Sequence, residues 1–211
     1  MRPDISIIIP VFNAQDTLKT SIKSIINQKY KYIKPKIEII LSLDDNKEYE
    51  ELTKINNENV KIKIVKTNKQ ASGPGNARNQ GIKISRGKYI GFLDYDDVLY
   101  PEAYELLVDK LQKSGSAIVF ASVRVMWLRV FDRFFYSDEP AQSFVGSHLI
   151  DLFRSNFCPL HSYLIDRDKV SSNMLSFMPS LTIEEDYDVL LRICARYPSD
   201  FSLIGTEIGY Y

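Results

Sequence analysis

Three aspartates follow an apolar run in the stretch YIGFLDYDDVLYPEA, residues 89–103. Asp94 and Asp96 are separated by one residue, so in an extended segment their carboxylates point to the same side. Such hard oxygen ligands favour Mg2+ or Mn2+, and so small a ligand set requires a substrate phosphate to complete the coordination shell. Alternatively, the acidic loop caps a helix that begins at Pro101, where negative charge is favourable. We favour the metal site, with Asp97 in support, because the cluster follows a buried strand.

A second acidic cluster lies in TIEEDYDVLLRI, residues 182–193, at the start of a predicted amphipathic helix. Thr182 and Glu185 have the spacing of a capping box, which by itself explains Glu185. It does not explain Asp186. A carboxylate at the mouth of a site can accept the proton of an attacking hydroxyl, as a general base does. The helix dipole also favours acidic residues here, so both interpretations of Asp186 stay open.

The stretch GPGNARNQG, residues 73–81, predicts a helix that begins after a glycine, with Pro74 in its first turn. Arg78 on this helix can face a phosphate, or it can pair with a nearby aspartate. The chain has neither the G-x-x-x-x-G-K-[ST] loop nor the G-x-G-x-x-G fingerprint. A bound nucleotide would therefore be held by a metal and carboxylates.

Apolar periodicity predicts four strands that alternate with four helices in the first half of the chain. The strands are 5–11, 36–43, 60–67 and 88–94, and the helices are 14–28, 46–58, 73–85 and 101–115. Residues 117–137 are aromatic and β-rich, and a helix is predicted at 146–155. We predict one α/β domain with a mostly parallel sheet flanked by helices. Residues 1–115 form its Rossmann-like half and residues 116–211 an α+β half.

Polar side chains follow three of the predicted strands. Ligands of such sheets bind at the carboxyl ends of the strands, where loops and helix N-termini converge. Asn13 follows the first strand, Asp44 and Asp45 follow the second, and Asp94, Asp96 and Asp97 follow the fourth. Phe12, which is apolar, lies at the same place as Asn13, directly after the first strand. Carboxylates that are distant in sequence should therefore share one edge of the sheet.

The composition excludes several classes of protein. Lys plus Arg (27) balances Asp plus Glu (27), so no global field favours nucleic acid. Cys158 and Cys194 do not make a disulfide framework, and we expect core thiols in a reducing, cytoplasmic compartment. The longest apolar runs fall far short of the roughly 20 residues that cross a bilayer. Any membrane association would be peripheral, at the inner face.

Taken together, four ordered segments resemble the family 2 glycosyltransferases of the GT-A fold. The segments are SIIIPVFNAQDTLKTSIKSIINQ, EIILSLDDN, GPGNARNQGIKISRGKYIGFLDYDD and EEDYDVLLRI. The resemblance runs from Ile5 to Ile193, which is most of the chain. It implies that the second half carries the acceptor site and the catalytic base.

The resemblance also implies a reaction and its residues. An acceptor hydroxyl would attack the anomeric carbon of a nucleotide-linked sugar in one displacement with inversion, aided by Mn2+ or Mg2+. The implied donor is a UDP-sugar and the acceptor a glycan or a lipid-linked saccharide, in bacterial cell-surface polysaccharide or glycolipid synthesis. The implied roles are Pro10, Phe12 and Asp44 for the nucleotide base pocket, Asp94 near the ribose or the metal, Asp96 as the metal ligand and Asp186 as the general base. Arg78 is placed with the donor for a different reason, because the N-terminus of its helix can face a phosphate.

Some positions depart from the family pattern. The second motif often continues as D-D-G-S-T-D, whereas this chain has DDNKEYE, and either Asp44 or Asp45 aligns with it. The Q-x-x-R-W signature of processive synthases is absent, which favours single sugar additions. Family members usually continue past the equivalent of EIGYY, so we expect a C-terminal extension. Oligomeric state is left open.

Two further features have alternative interpretations. His161, in CPLHSYLI, faces either the acceptor or a structural partner in the protein. Residues 124–136, which include Trp127, form either an acceptor-facing or membrane-facing surface or a packed hairpin, and we favour the hairpin. The competing functions are a sugar-1-phosphate nucleotidyltransferase, whose glycine-rich loop is missing from PVFNAQDTL, and a non-catalytic nucleotide-sugar-binding module.

Overall fold

The computed structural model describes residues 2–55, 57–126, 128–131, 134–137 and 145–211, with side chains described outside 127–144. Eight of its strands form one sheet in the order β3-β2-β1-β4-β9-β6-β10-β5. These strands are β1 (Ile5–Val11), β2 (Ile37–Leu43), β3 (Val60–Lys66), β4 (Tyr89–Phe92), β5 (Val98–Leu99), β6 (Ile118–Arg124), β9 (Tyr163–Asp166) and β10 (Ser199–Tyr210). A separate hairpin pairs β7 (Leu128–Phe131) with β8 (Phe134–Ser137).

The sheet is mostly parallel, as predicted. β1 pairs in parallel with β2 and β4, and β2 pairs in parallel with β3. β9 lies antiparallel between β4 and β6, and β10 runs parallel to β6. All seven residues of β1 and of β2 are buried, which is typical of parallel strands covered by helices on both faces.

Five α-helices cover the two faces of the sheet: α1 (Leu18–Ile26), α2 (Pro74–Ile84), α3 (Ala103–Ser114), α4 (Leu149–Leu152) and α5 (Glu185–Cys194). Alternate residues of β1 point to opposite faces, so Ile7 and Ile9 join one core and Ile8 joins the other. The Ile7 core includes residues of α1 and α3, and the Ile8 core includes residues of α5. α1 and α3 are thus on the face opposite α5.

Several predicted elements differ from the structure. The helix predicted at 46–58 is only a 3-10 turn, Glu50–Lys54, because this polar stretch offers few apolar contacts to stabilise a longer helix. The helix predicted at 146–155 is the single turn of α4. β5 and β10 were not predicted, since β10 is half exposed and interrupted by register shifts.

Two further predictions concern residues 124–136. The hairpin favoured for residues 124–136 is present as β7 and β8. The proposed acceptor-facing or membrane-facing surface of its side chains, Trp127 included, lies outside the described residues. No helix in the described ranges is long and apolar enough to cross a membrane.

Candidate active site

Two adjoining cavities lie at the carboxyl edge of the sheet. The larger has a volume of about 470 Å³ and is lined by Pro10, Val11, Phe12, Asp44, Ala71, Gly73, Pro74, Ala77, Arg78, Asp94, Tyr95 and Asp96. The smaller, of about 200 Å³, is lined by Arg78, Asp94, Asn156, Pro159, Leu160, Glu185, Asp186 and Tyr211. Arg78 and Asp94 line both. The predicted donor residues thus gather around the larger cavity, and the predicted base lies on the smaller.

Arg78 connects the two cavities through a pair of short ion pairs. Its Nη2 donates to Oδ1 of Asp94 and its Nη1 donates to Oε1 of Glu185, both at 2.8 Å. The guanidinium is almost fully buried. Burial by itself lowers the pKa of Arg78, but the charges of Asp94 and Glu185 outweigh burial and raise it. Of the two alternatives for Arg78, the structure therefore shows the pairing with an aspartate.

The capping box predicted for Thr182 and Glu185 is wrong. α5 begins at Glu185, and its N-cap residue is Glu184, in a left-handed conformation with φ 58° and no side-chain capping bond. Glu185 is buried and accepts from Arg78. A buried guanidinium stabilises a buried carboxylate more than an exposed backbone N–H does, because little water competes for it.

Asp186 lies at the first turn of α5, half-buried on the wall of the smaller cavity. Its Oδ1 accepts from the backbone N–H of Tyr187 at 2.8 Å, and Nδ2 of Asn156 lies 3.5 Å from its Oδ2. Oδ2 therefore keeps lone pairs that a substrate hydroxyl can reach. Asn156 was missed because it follows α4 in a loop, where no periodic pattern marks it.

Asp96 and Asp97 are adjacent in sequence but differ in environment. Asp96 is exposed at the rim of the larger cavity. Partial burial and the neighbouring charge of Asp97 raise the pKa of Asp96. Asp97 is buried, and burial raises its pKa although His161 acts in the opposite direction. The helix-capping alternative is wrong for this loop, since α3 begins at Ala103 and its N-cap, Glu102, makes no side-chain capping bond.

His161 is buried, and its Nδ1 lies 2.9 Å from Oδ2 of Asp97. The ring of Tyr211 lies nearly parallel to the imidazole, with centroids 6.1 Å apart. Neither cavity is lined by His161, although Pro159 and Leu160 line the smaller one. The position of His161 therefore fits its structural interpretation, in which it contacts Asp97 and holds the loop of residues 94–97.

Asp44 and Asp45 face different partners. Asp44 accepts from the hydroxyls of Thr67 and Ser72 and from the backbone N–H groups of Ser72 and Gly73, at 2.7–3.0 Å. Asp45 accepts from the backbone N–H of Asn13. Of the two, Asp44 lines the larger cavity. It also anchors the loop before α2, a role that sequence reasoning missed because Thr67 and Ser72 are over 20 residues away.

The carboxylates of the site could hold a divalent cation only if a bound substrate supplied further oxygen ligands. Within the described ranges, no group of three or more His, Cys, Asp or Glu residues is arranged to bind a metal. The exposed carboxylate of Asp96 forms no ion pair with a described residue, so it can offer hard oxygen atoms to Mg2+ or Mn2+. Phosphate and water oxygens would supply the other ligands, and these residues therefore fit a metal that arrives with a diphosphate.

The fold is an α/β sheet with two adjoining cavities at the carboxyl ends of its strands, where sheets of this kind bind ligands. A model of glycosyl transferase family 2 matches residues 6–142, and the chain belongs to this family. WfgD of Escherichia coli, a UDP-Glc:alpha-D-GlcNAc-diphosphoundecaprenol beta-1,3-glucosyltransferase, is 28% identical over 58% of this chain and 46% of its own length. The uncharacterized glycosyltransferase RP339 of Rickettsia prowazekii is 30% identical over 98% of this chain and 64% of its own length.

Solved structures confirm the predicted GT-A fold. S. aureus TarS 1-349 in complex with UDP-GlcNAc superposes with a TM-score of 0.75 and 16% identity, over 99% of this chain and 58% of that chain. The chain therefore spans less than two thirds of the length of each of these relatives.

Proposed function

We propose that this chain moves a sugar from a UDP-sugar to a hydroxyl of a lipid-linked saccharide or glycan at the inner face of the membrane, with inversion. The observation that carries the proposal is the pair of cavities that share Arg78 and Asp94. One cavity presents Asp96 and the other presents Asp186. The names of the E. coli relative, which uses UDP-Glc and a diphosphoundecaprenol acceptor, and of the TarS complex with UDP-GlcNAc support this choice of substrates.

The donor occupies the larger cavity in this proposal. Phe12, 40% exposed, and Pro10 offer apolar surface to the uracil base at the end of β1. Asp44 lies on the same wall and Asp94 lies toward the smaller cavity. Asp96 would hold Mn2+ or Mg2+ together with the diphosphate, and such a cation would supply positive charge beside the leaving group.

The acceptor enters the smaller cavity, where Asp186 receives the proton of its hydroxyl. The acceptor oxygen forms a bond to the anomeric carbon as the bond from that carbon to the diphosphate oxygen breaks, and UDP leaves with the electron pair. Attack from the face opposite the diphosphate inverts the anomeric centre. Nucleotidyl transfer is disfavoured because PVFNAQDTL supplies no glycine-rich loop for a triphosphate.

Calorimetry of UDP with Mn2+ tests the donor site. We expect Asp96→Ala or a chelator to weaken UDP binding at least about tenfold, because a cation held by Asp96 would attract the negative diphosphate. Asp109→Ala is the matched control, since Asp109 is an exposed aspartate on α3 that pairs with Lys113. UDP binding unchanged by both Asp96→Ala and chelator would disprove the metal assignment.

A screen of UDP-sugars separates the enzyme from a non-catalytic binding module. We expect release of UDP from at least one UDP-sugar, faster when a polyprenyl-diphosphate saccharide is present as acceptor. Binding of UDP-sugars without any release of UDP would instead favour the binding module.

A further inference from the structure

One face of α2 contacts residues 177–185, the chain segment that directly precedes Asp186. Gly75, Arg78 and Asn79 have the i, i+3, i+4 spacing that places side chains on the same side of a helix. Each of the three lies against residues 177–185. The contacts are different in kind, one steric, one ionic and one through backbone hydrogen bonds, so they restrain the segment in different ways.

Gly75 and Asn79 set how closely this segment approaches α2. A Cβ at Gly75 would lie 3.1 Å from Cγ of Glu185 and 3.4 Å from Cβ of Phe177, so a larger residue would push both away. Asn79 bonds the backbone of Phe177 twice, from its Nδ2 to the carbonyl and from the Phe177 N–H to its Oδ1, each at 2.8 Å. The start of the segment is therefore fixed to α2.

Arg78 fixes the end of the segment. One terminal nitrogen binds Glu185 and the other binds Asp94 at the end of β4, while the guanidinium lies 5.4 Å from the ring centroid of Phe177. Each terminal nitrogen thus donates one of its two N–H groups to a protein carboxylate. The two ion pairs fix the guanidinium between Asp94 and Glu185, so the arginine is well placed to hold the protein.

The geometry points to α2 as the positioning element of the catalytic base: Arg78 ties Glu185 to Asp94 and so holds Asp186 on the wall of the smaller cavity. The inference rests on the proposed function, and it gives Arg78 a positioning role in place of the donor-binding role expected from the sequence. Asp186 directly follows Glu185, so a shift of Glu185 moves the base. A displacement of about 1 Å can cost about 100-fold in rate.

Arg78→Met tests the inference through three readouts. We expect hydrogen–deuterium exchange to increase in peptides that cover residues 177–188. We expect kcat for the UDP-sugar to fall about 100-fold while KM for that donor and the Kd of UDP stay within about threefold. A Kd of UDP raised tenfold or more, with exchange unchanged, would show that Arg78 holds the donor and would overturn the inference.

The double variant Arg78→Met, Glu185→Gln separates positioning from loss of stability. Arg78→Met alone leaves the charges of buried Glu185 and half-buried Asp94 unpaired, which lowers Tm, and Glu185→Gln removes the more deeply buried of the two. We expect Tm to recover in part in the double variant while kcat stays low and exchange stays high. Recovery of kcat together with Tm would overturn the inference, because the loss would then have been one of stability only.

Arg167→Met is the matched control at the other end of α2. Arg167 donates to the carbonyls of Ser85 and Ile82 and to the Ser85 hydroxyl. We expect a lower Tm with kcat within about twofold of wild type, and an equally large loss of kcat would count against a specific role of Arg78. If wild type bound no UDP and released none, the proposed function would fail, whereas the exchange data would still decide whether α2 holds residues 177–188.

Discussion

At the scale of single residues, five aspartates at one edge of the sheet differ in how their oxygen atoms are used. Asp44 accepts four hydrogen bonds, Asp94 is ion-paired with a buried arginine, and Asp97 is buried against a histidine. Asp96 is exposed, and Oδ2 of Asp186 lies 3.5 Å from Nδ2 of Asn156. A carboxylate needs accessible lone pairs to bind a cation or take a proton, and Asp96 and Asp186 are the least engaged of the five, so we take these two as the candidates for chemistry.

The role of Asp186 predicts a variant that binds but does not transfer. Asp186→Asn preserves the shape of the side chain and its acceptor for the Tyr187 N–H but removes the basic oxygen. We expect transfer to fall about 10²–10⁴-fold, the usual contribution of a general base, with the Kd of UDP unchanged. Radiometric transfer assays and calorimetry measure the two quantities. Asp188→Asn, on the same helix but paired with Arg192, is the control. Transfer at the wild-type rate in Asp186→Asn would place the base elsewhere.

At the scale of elements, α2 is held close to the sheet by a residue without a side chain. A Cβ at Gly81 would lie 2.5 Å from Cγ2 of Ile8 and 2.9 Å from Oγ of Ser42. α2 therefore packs directly on β1 and β2. This close packing sets where the first turn of α2 lies, and with it the loop that Asp44 anchors and the guanidinium of Arg78.

Gly81→Ala should destabilise the protein because the added methyl group has no space. We expect the free energy of unfolding to fall by about 1–3 kcal/mol, as in other overpacked cores. Urea denaturation measures this change, and Lys83→Ala, on the exposed side of the same helix, should change it by under about 0.5 kcal/mol. A Gly81→Ala protein as stable as wild type would mean that α2 can move away from the sheet at no cost.

At the scale of the whole molecule, stability and function depend on opposite edges of the sheet. Near the amino ends of the strands, Glu38 is 2% exposed. It accepts from Oγ of Ser6 at 2.5 Å, from Nζ of Lys63 at 2.6 Å and from the backbone N–H of Arg86 at 2.5 Å. One carboxylate thus joins β1, β2, β3 and the turn after α2, far from the cavities at the other ends of the strands.

Glu38 predicts how stability depends on pH. Burial by itself raises the pKa of Glu38, but the bonds from Lys63, Ser6 and Arg86 outweigh burial, and the pKa in the folded protein lies below the ordinary 4.5. A carboxyl group with a lowered folded pKa stabilises fully above its unfolded pKa and loses that contribution as the pH falls through the folded value. The network therefore stabilises the protein at neutral pH and is lost in acid.

Urea denaturation of Glu38→Gln at two pH values measures this effect. We expect the variant to be about 1–3 kcal/mol less stable than wild type near pH 7. The difference should shrink as the pH falls below the ordinary 4.5 and through the lowered folded pKa of Glu38, where wild type binds the proton in both states. Glu105→Gln, at a half-buried carboxylate that accepts from the backbone N–H groups of Lys31 and Tyr32 in the loop before β2, is the control. A difference that stays constant over this pH range would contradict the role of the Glu38 charge.

The sequence by itself determined the alternation of strands and helices, the mostly parallel sheet and the edge at which the acidic residues gather. These follow from local patterns, because apolar periods of two and of 3.6 residues and the direction of parallel strands need no knowledge of distant contacts. It also indicated the family, since the four motifs are ordered along the chain. It did not indicate β10, whose strand is made of half-exposed residues without a regular period.

Only the tertiary structure decided which partner each charged side chain has. Glu185 resembles a cap in sequence, yet it binds Arg78, which lies 107 residues earlier. Asp97 resembles a helix cap, yet it faces His161. The energy of a buried charge depends on what lies within a few ångströms of it, and those neighbours come from distant parts of the chain. For the same reason the wall between the two cavities, formed by Arg78 and Asp94, exists only in the folded protein.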